Sequence, residues 1–133
     1  HARLPQIAPF VHPRLSLAGM RRCRYQLCLA GFDVGTNFTW AAQSNAVVLK
    51  EEAGWEVYYS ALFSPWEHYI PVAAGCADLA ERLDWARRHP AACIAMSAAA
   101  RAVVAELSDF PAQREMMRRV AAALPAVPPP FDP

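Results

Sequence analysis

The spacing of apolar and polar positions changes several times along the chain. Tyr25-Gln-Leu-Cys-Leu-Ala30 is a short apolar run that stops at Gly31, which predicts a buried strand. Phe32–Asn37 is turn-rich, and Phe38–Gln43 reads as a short helix closed by Ser44-Asn45. Ala46–Leu49 is a second buried run, β-branched, followed at once by Lys50, Glu51 and Glu52. Strand, turn, helix, strand is a crossover, and a crossover of this kind makes a parallel pair. Gly54 precedes a helical pattern from Trp55 to Phe63. Trp55, Tyr58, Tyr59 and Leu62 supply its i, i+3, i+4, i+7 apolar face, and Pro65 ends it. His68–Val72 alternates and predicts a third strand, with Pro71 at its edge or end.

The flanking segments read as helical. Ser16 can cap a short helix to about Cys23, with Arg21, Arg22 and Arg24 at its C-terminal end. Asp78 and Glu81 form a start signal related to the capping box. Leu79, Leu83 and Ala86 then share a face, while Asp78–Arg82 and Asp84–Arg88 are spaced for ion pairs on the wet side. Pro90 suits the first turn of another helix running to about Leu107. Ser108-Asp109, then Pro111, opens a last helix carrying Met116, Val120 and Leu124. Residues 1–13 read as an extended connector, 14–124 as one domain, and 125–133 as a Pro-rich tail in polyproline conformation. The order α-β-α-β-α-β-α-α-α argues for an α/β fold, an open parallel sheet covered by helices on both faces.

Composition narrows the function classes without naming one. The chain has 133 residues, 55% of them hydrophobic, enough to bury a core. Its formal net charge of +1 points to no nucleic-acid partner and no polybasic membrane patch. No apolar run predicts a transmembrane span or a signal peptide. The first residue is His1, and Lys50 is the one Lys among 13 basic residues. Of Cys23, Cys28, Cys76 and Cys93 only the first two are close, so the spacing predicts no metal site; three disulfide pairings are open.

Ligands of open parallel sheets bind beyond the carboxyl ends of the strands. Gly31–Asn37 follows the first such end. Gly31 and Gly35 let backbone approach a ligand, the next helix directs free N–H groups outward, and Thr36 and Asn37 add side-chain donors. A diphosphate suits that arrangement, although the spacing is neither G-x-G-x-x-G nor a P-loop, and a plain tight turn explains it as well. Glu51, Glu52 and Glu56 follow the second strand. A carboxylate there can hold a ribose diol or merely favour a helix start. His68 has no visible catalytic partner and reads as structural, and most aromatic residues read as core.

The ordered set of motifs resembles the C-terminal core of glycosyltransferase family 90. This group contains capsule-associated proteins, lipopolysaccharide-modifying glycosyltransferases and protein O-glucosyltransferases. The likeness runs through Tyr25–Gly31, Asp33-Val-Gly-Thr-Asn-Phe-Thr-Trp40, Ser44–Lys50, Trp55-Glu56, Tyr58-Tyr59 and Pro65-Trp-Glu-His-Tyr-Ile-Pro-Val72. It continues in Asp78-Leu79, Leu83-Asp-Trp85 and His89-Pro90, covering roughly 14–107.

The resemblance implies a Rossmann-like domain, the C-terminal half of a two-domain GT-B enzyme that holds a UDP-sugar. It implies an inverting transfer, without a metal or other cofactor, to a glycan, lipopolysaccharide or protein hydroxyl. Gly31, Asp33, Val34, Gly35, Thr36 and Asn37 would form the donor loop, with Glu52 or Glu56 on ribose. Asn37 stands where the protein O-glucosyltransferases carry an Arg, so the loop is closer to the lipopolysaccharide type. The family's base is an Asp in an N-terminal domain that nothing in this chain matches. No catalytic residue is therefore carried over, and the chain alone is expected to be inactive. The expected partners are a nucleotide sugar, an acceptor and that N-terminal domain. The lipopolysaccharide type implies a cytoplasmic or peripheral-membrane setting, the O-glucosyltransferase type a luminal one. Two other readings stand beside this one: a non-catalytic remnant or interaction domain of the same fold, and a dinucleotide-binding oxidoreductase domain.

Overall fold

The computed structural model describes residues 9, 13, 15–31, 37–54 and 56–123. Three parallel strands, β1 (Tyr25–Cys28), β2 (Val47–Glu51) and β3 (Ile70–Val72), form a sheet in the order β1-β2-β3. Tyr25 pairs with Val47 and Cys28 with Lys50, while Leu49 pairs with Ile70 and Glu51 with Val72. The central strand is thus the apolar Val47-Val48-Leu49 run. Pro71, which cannot donate to a ladder, sits on an outer strand, as its chemistry requires.

Five helices accompany the sheet among the described residues: α1 (Leu17–Met20), α2 (Asn37–Ala42), α3 (Leu79–Arg88), α4 (Pro90–Leu107) and α5 (Phe110–Ala123). Strand alternation divides the core in two. Cys28 and Val48 pack with Phe38, Ala41 and Ala42 of α2 and with Phe63 and Tyr69. Val47, Leu49, Ile70 and Val72 pack with Ala86 of α3. Helix α4 joins both clusters, through Cys93 and Met96 in its first half and Ala100 and Val104 in its second. By length and composition alone α4 could cross a membrane, although Arg101 and Glu106 interrupt its apolar run. Its buried stripe, however, is that of a core helix.

The α/β reading with a parallel, helix-flanked sheet holds, and the sheet is consistent with a Rossmann-like arrangement. Several boundaries and local devices differ from expectation. β1 ends at Cys28, two residues early, and β2 runs on through Lys50 and Glu51, which were expected to follow the strand. The predicted helix from Trp55 to Phe63 reduces to a 3-10 turn at Ser60–Leu62, and Trp55 lies outside the described residues. Gly54 adopts φ +77° and redirects the chain, and the Val57 N–H donates to Ser60 Oγ at 2.8 Å, a local turn that competes with a helical ladder. Tyr58 and Leu62, meant for the apolar face, are exposed.

The helix ends show similar substitutions of one partner for another. Ser16 caps α1 as expected, its Oγ accepting from the Gly19 N–H, but the helix stops at Met20. Asp78 makes no capping bond to α3. Its carboxylate instead accepts from the Ala73 N–H at 2.7 Å and pairs with Arg82 at 2.8 Å. Asp84 pairs with Arg87, while Arg88 donates to the Asp84 backbone carbonyl, so the predicted Asp84–Arg88 ion pair does not form. In α5, Met116 is half-buried and Val120 exposed, and Leu124 lies outside the described residues.

Candidate functional site

Parallel strands end on the same side, so β1 and β2 deliver consecutive residues to one rim. There the fold leaves a cavity of about 290 Å³. Its apolar wall is built from rings. Phe38, at the start of α2, meets Phe63 edge to face with centroids 4.9 Å apart and Tyr69 at 5.6 Å. Tyr59 adds a further edge-to-face contact, to Phe63, at 6.3 Å. Edge-to-face packing fixes ring orientation as well as burying area, so this wall is preformed.

The polar groups of the cavity come from the end of β2 and the segment after it. Glu51 is a structural clasp. One carboxylate oxygen accepts from the Ala30 N–H at 3.0 Å, just beyond β1, and the other from the Gly75 N–H at 2.6 Å. Gly75 has φ +68°, a conformation that glycine adopts without steric cost, so the turn after β3 can offer its amide there. Lys50 extends its ammonium to Glu52 at 3.0 Å, and the same nitrogen lies 4.9 Å from the Tyr69 ring centroid and 5.9 Å from that of Phe38. Such ring faces favour a cation.

Electrostatics separate the inert groups from the available ones. Burial pushes the Cys28 thiol up to about 12, against the opposing pull of Lys50. At neutral pH it is a protonated, hydrophobic floor rather than a nucleophile. Burial, and after it the adjacent Glu52 carboxylate, raises the Tyr69 hydroxyl well above the ordinary phenol range. His68 is buried, and its Nδ1 accepts from the Ser64 N–H at 2.9 Å, a structural placement that agrees with its sequence reading.

The sequence-selected residues reach this rim unevenly. Glu52 and Glu56 both line the cavity. Gly31 is exposed at the exit of β1, and Asn37 is the first, exposed residue of α2. Asp33, Val34, Gly35 and Thr36, between them, lie outside the described residues. Sequence reasoning misses Lys50, and it leaves Glu51 outside the selected pair of Glu52 and Glu56. The signal for Lys50 was its singularity: one Lys at the polar end of the most apolar strand. Among the described residues no three His, Cys, Asp or Glu side chains cluster in a way that could hold a metal, and all four cysteines are free thiols.

Comparison with known proteins adds a lineage to this geometry. The sequence profile of Glycosyl transferase family 90 matches residues 11–121. Uncharacterized protein 035R of Invertebrate iridescent virus 3 is 36% identical over 84 residues, 60% of this chain and 8% of the viral protein. Protein O-glucosyltransferase 3 of Mus musculus is 26% identical over 66 residues, 50% of this chain and 13% of the mouse protein. Protein O-glucosyltransferase 2 of Danio rerio is 29% identical over 69 residues, again 50% of this chain and 13% of the relative. The chain therefore spans a small fraction of the length of these relatives. With a match that covers most of its residues, the chain belongs to glycosyl transferase family 90.

Proposed function

We propose that this chain is the donor-binding part of an inverting glycosyltransferase of GT-B architecture that takes a UDP-sugar without a metal ion. One observation carries the reading: in a chain of this family, the cavity opens at the carboxyl rim of the parallel sheet, bounded by the exit of β1, the end of β2 and the start of α2. Rims of this kind are where open α/β sheets take nucleotides. The donor loop is Gly31, Asp33, Val34, Gly35, Thr36 and Asn37. Glu52 or Glu56 accepts the ribose diol. The aromatic wall of Phe38, Phe63 and Tyr69 suits a flat or ring-shaped ligand.

The acceptor is a hydroxyl of a glycan, lipopolysaccharide or protein. The relatives named as protein O-glucosyltransferases support the protein option, and the Asn37 form of the loop supports the lipopolysaccharide one. The base that removes the acceptor proton comes from a second, N-terminal domain.

Titration calorimetry of the chain with UDP tests the reading. Binding is expected, unchanged by EDTA, and weakened about tenfold by Gly35→Asp, which sets a carboxylate beside the diphosphate. A folded chain with no affinity for UDP favours the non-catalytic reading. Affinity that disappears with EDTA overturns the metal-free one.

A further inference from the structure

We propose that Lys50 is the cation that receives the donor's phosphate groups, and that Glu52 is its resting counterion rather than the ribose acceptor. The inference rests on the donor-binding reading above and assigns roles within that site.

The argument begins with charge. Among the described residues lining the cavity, Lys50 is the one cation, facing Glu51, Glu52 and Glu56. An anionic ligand in that setting needs a cation within reach, and Lys50 is the one that the described lining offers. Glu51 is occupied, since both its oxygens accept backbone N–H bonds. Glu52 is occupied by Lys50 at 3.0 Å. Glu56 has no ion-pair partner among the described residues and is exposed. The resting site thus holds its cation in reserve.

Geometry makes that cation transferable. Lys50 stands on the central strand, in register between Cys28 of β1 and Pro71 of β3, so its backbone is fixed by both neighbours. Its side chain retains 26% exposure and that of Glu52 retains 44%. An ion pair this open holds weakly against water and salt. A diphosphate carries more charge than a carboxylate and presents several acceptor oxygens, so it competes well for the same ammonium. The Tyr69 and Phe38 faces stabilise the cation while it changes partners, because their attraction does not depend on which anion is bound. Once Lys50 turns to phosphate, Glu52 keeps the Tyr69 hydroxyl as its partner, and the ribose diol falls to Glu56.

The decisive measurement compares UDP with uridine, which lacks the phosphates, on the same protein. In the wild type UDP is expected to bind more tightly. Lys50→Met is expected to weaken UDP about tenfold and leave uridine unchanged, since it removes one charge-assisted contact. Lys50→Arg is expected to retain most of the UDP preference. Glu52→Gln is expected to tighten UDP about threefold by freeing the ammonium, again without effect on uridine. Circular dichroism checks that each variant folds; should Lys50→Met fail, the Glu52→Gln result decides by its sign. An unchanged UDP-to-uridine ratio in Lys50→Met, or equal losses for both ligands in Glu52→Gln, overturns the assignment while leaving the donor reading intact. A wild type that binds neither ligand removes both.

Discussion

The two clusters on either side of the sheet contrast in what they expose. The one formed by Val47, Leu49, Ile70, Val72 and Ala86 is closed, with all five at 2% exposure or less. The one formed by Cys28, Val48, Phe38, Phe63 and Tyr69 is just as apolar at its base but ends in an open cavity fringed by Lys50, Glu51, Glu52 and Glu56. The same central strand serves both, because alternate side chains point to opposite faces. One face can be filled for stability, while the other keeps a vacant, polar rim. Stability and ligand chemistry are therefore separable by face, and substitutions can test how completely.

The largest effect is expected on the closed side. Ile70 is fully buried, and Ile70→Ala removes its methyl groups from a space that cannot collapse without moving the sheet. A loss of about 3 kcal/mol is expected, read as a lower midpoint in urea. In a variant that still folds, UDP affinity should change little. A loss of affinity as large as the loss of stability would mean that the two faces are not independent. The clasp at the rim comes next. Glu51→Ala frees the Ala30 and Gly75 amides, both near enough to water to be partly resolvated, so a cost of about 1–2 kcal/mol is expected. Hydrogen exchange should quicken at those two amides first. Uniform quickening across the sheet would mean that Glu51 supports the whole fold rather than the rim.

The closed face was also the more legible one. The β-branched Val47-Val48-Leu49 run and the Leu79–Ala86 stripe announce themselves, and the crossover pattern gives the parallel pairing of the first two strands. Pro90 marked the start of α4, and the structure places it at the first turn. The open face misled. Trp55–Phe63 had helical spacing, yet Gly54 and the Ser60 hydroxyl supplied a turn that spacing alone does not weigh. Asp78 had the chemistry of a cap and used it on Ala73 and Arg82, a choice decided by where β3 ends. The sequence puts Lys50 and Glu51 after the second strand, whereas the ladder with β3 extends β2 to include them. Pairing partners set strand ends, and a single sequence does not announce them. Glu52 and Glu56 line the cavity, and the signal that selects them in the sequence is a carboxylate soon after an apolar strand.

The smallest effect concerns the floor of the open face and appears with pH. Cys28 is the buried residue where cavity and core meet, and its thiol is held up to about 12 from an ordinary 9. A group whose pKa is raised on folding keeps its proton longer in the native state than in the unfolded chain. Between those two values the unfolded chain has lost a proton that the native state retains, so stability falls as pH rises. The Cys28 contribution is therefore complete below about pH 9 and declines as pH climbs toward 12. The Tyr69 hydroxyl, raised in the same direction, adds to that alkaline decline. Urea midpoints measured from pH 7 to pH 10.5 should decline at the upper end, and Cys28→Ala should make the decline shallower. Thiol labelling gives the kinetic counterpart. Exposed Cys23 should react at pH 8 in the folded chain, while Cys28 should react only as the chain opens. Rapid labelling of Cys28 in the folded state, suppressed by UDP, would show instead that the thiol is open to reagents from the cavity it lines. The floor would then belong to the ligand site rather than to the core.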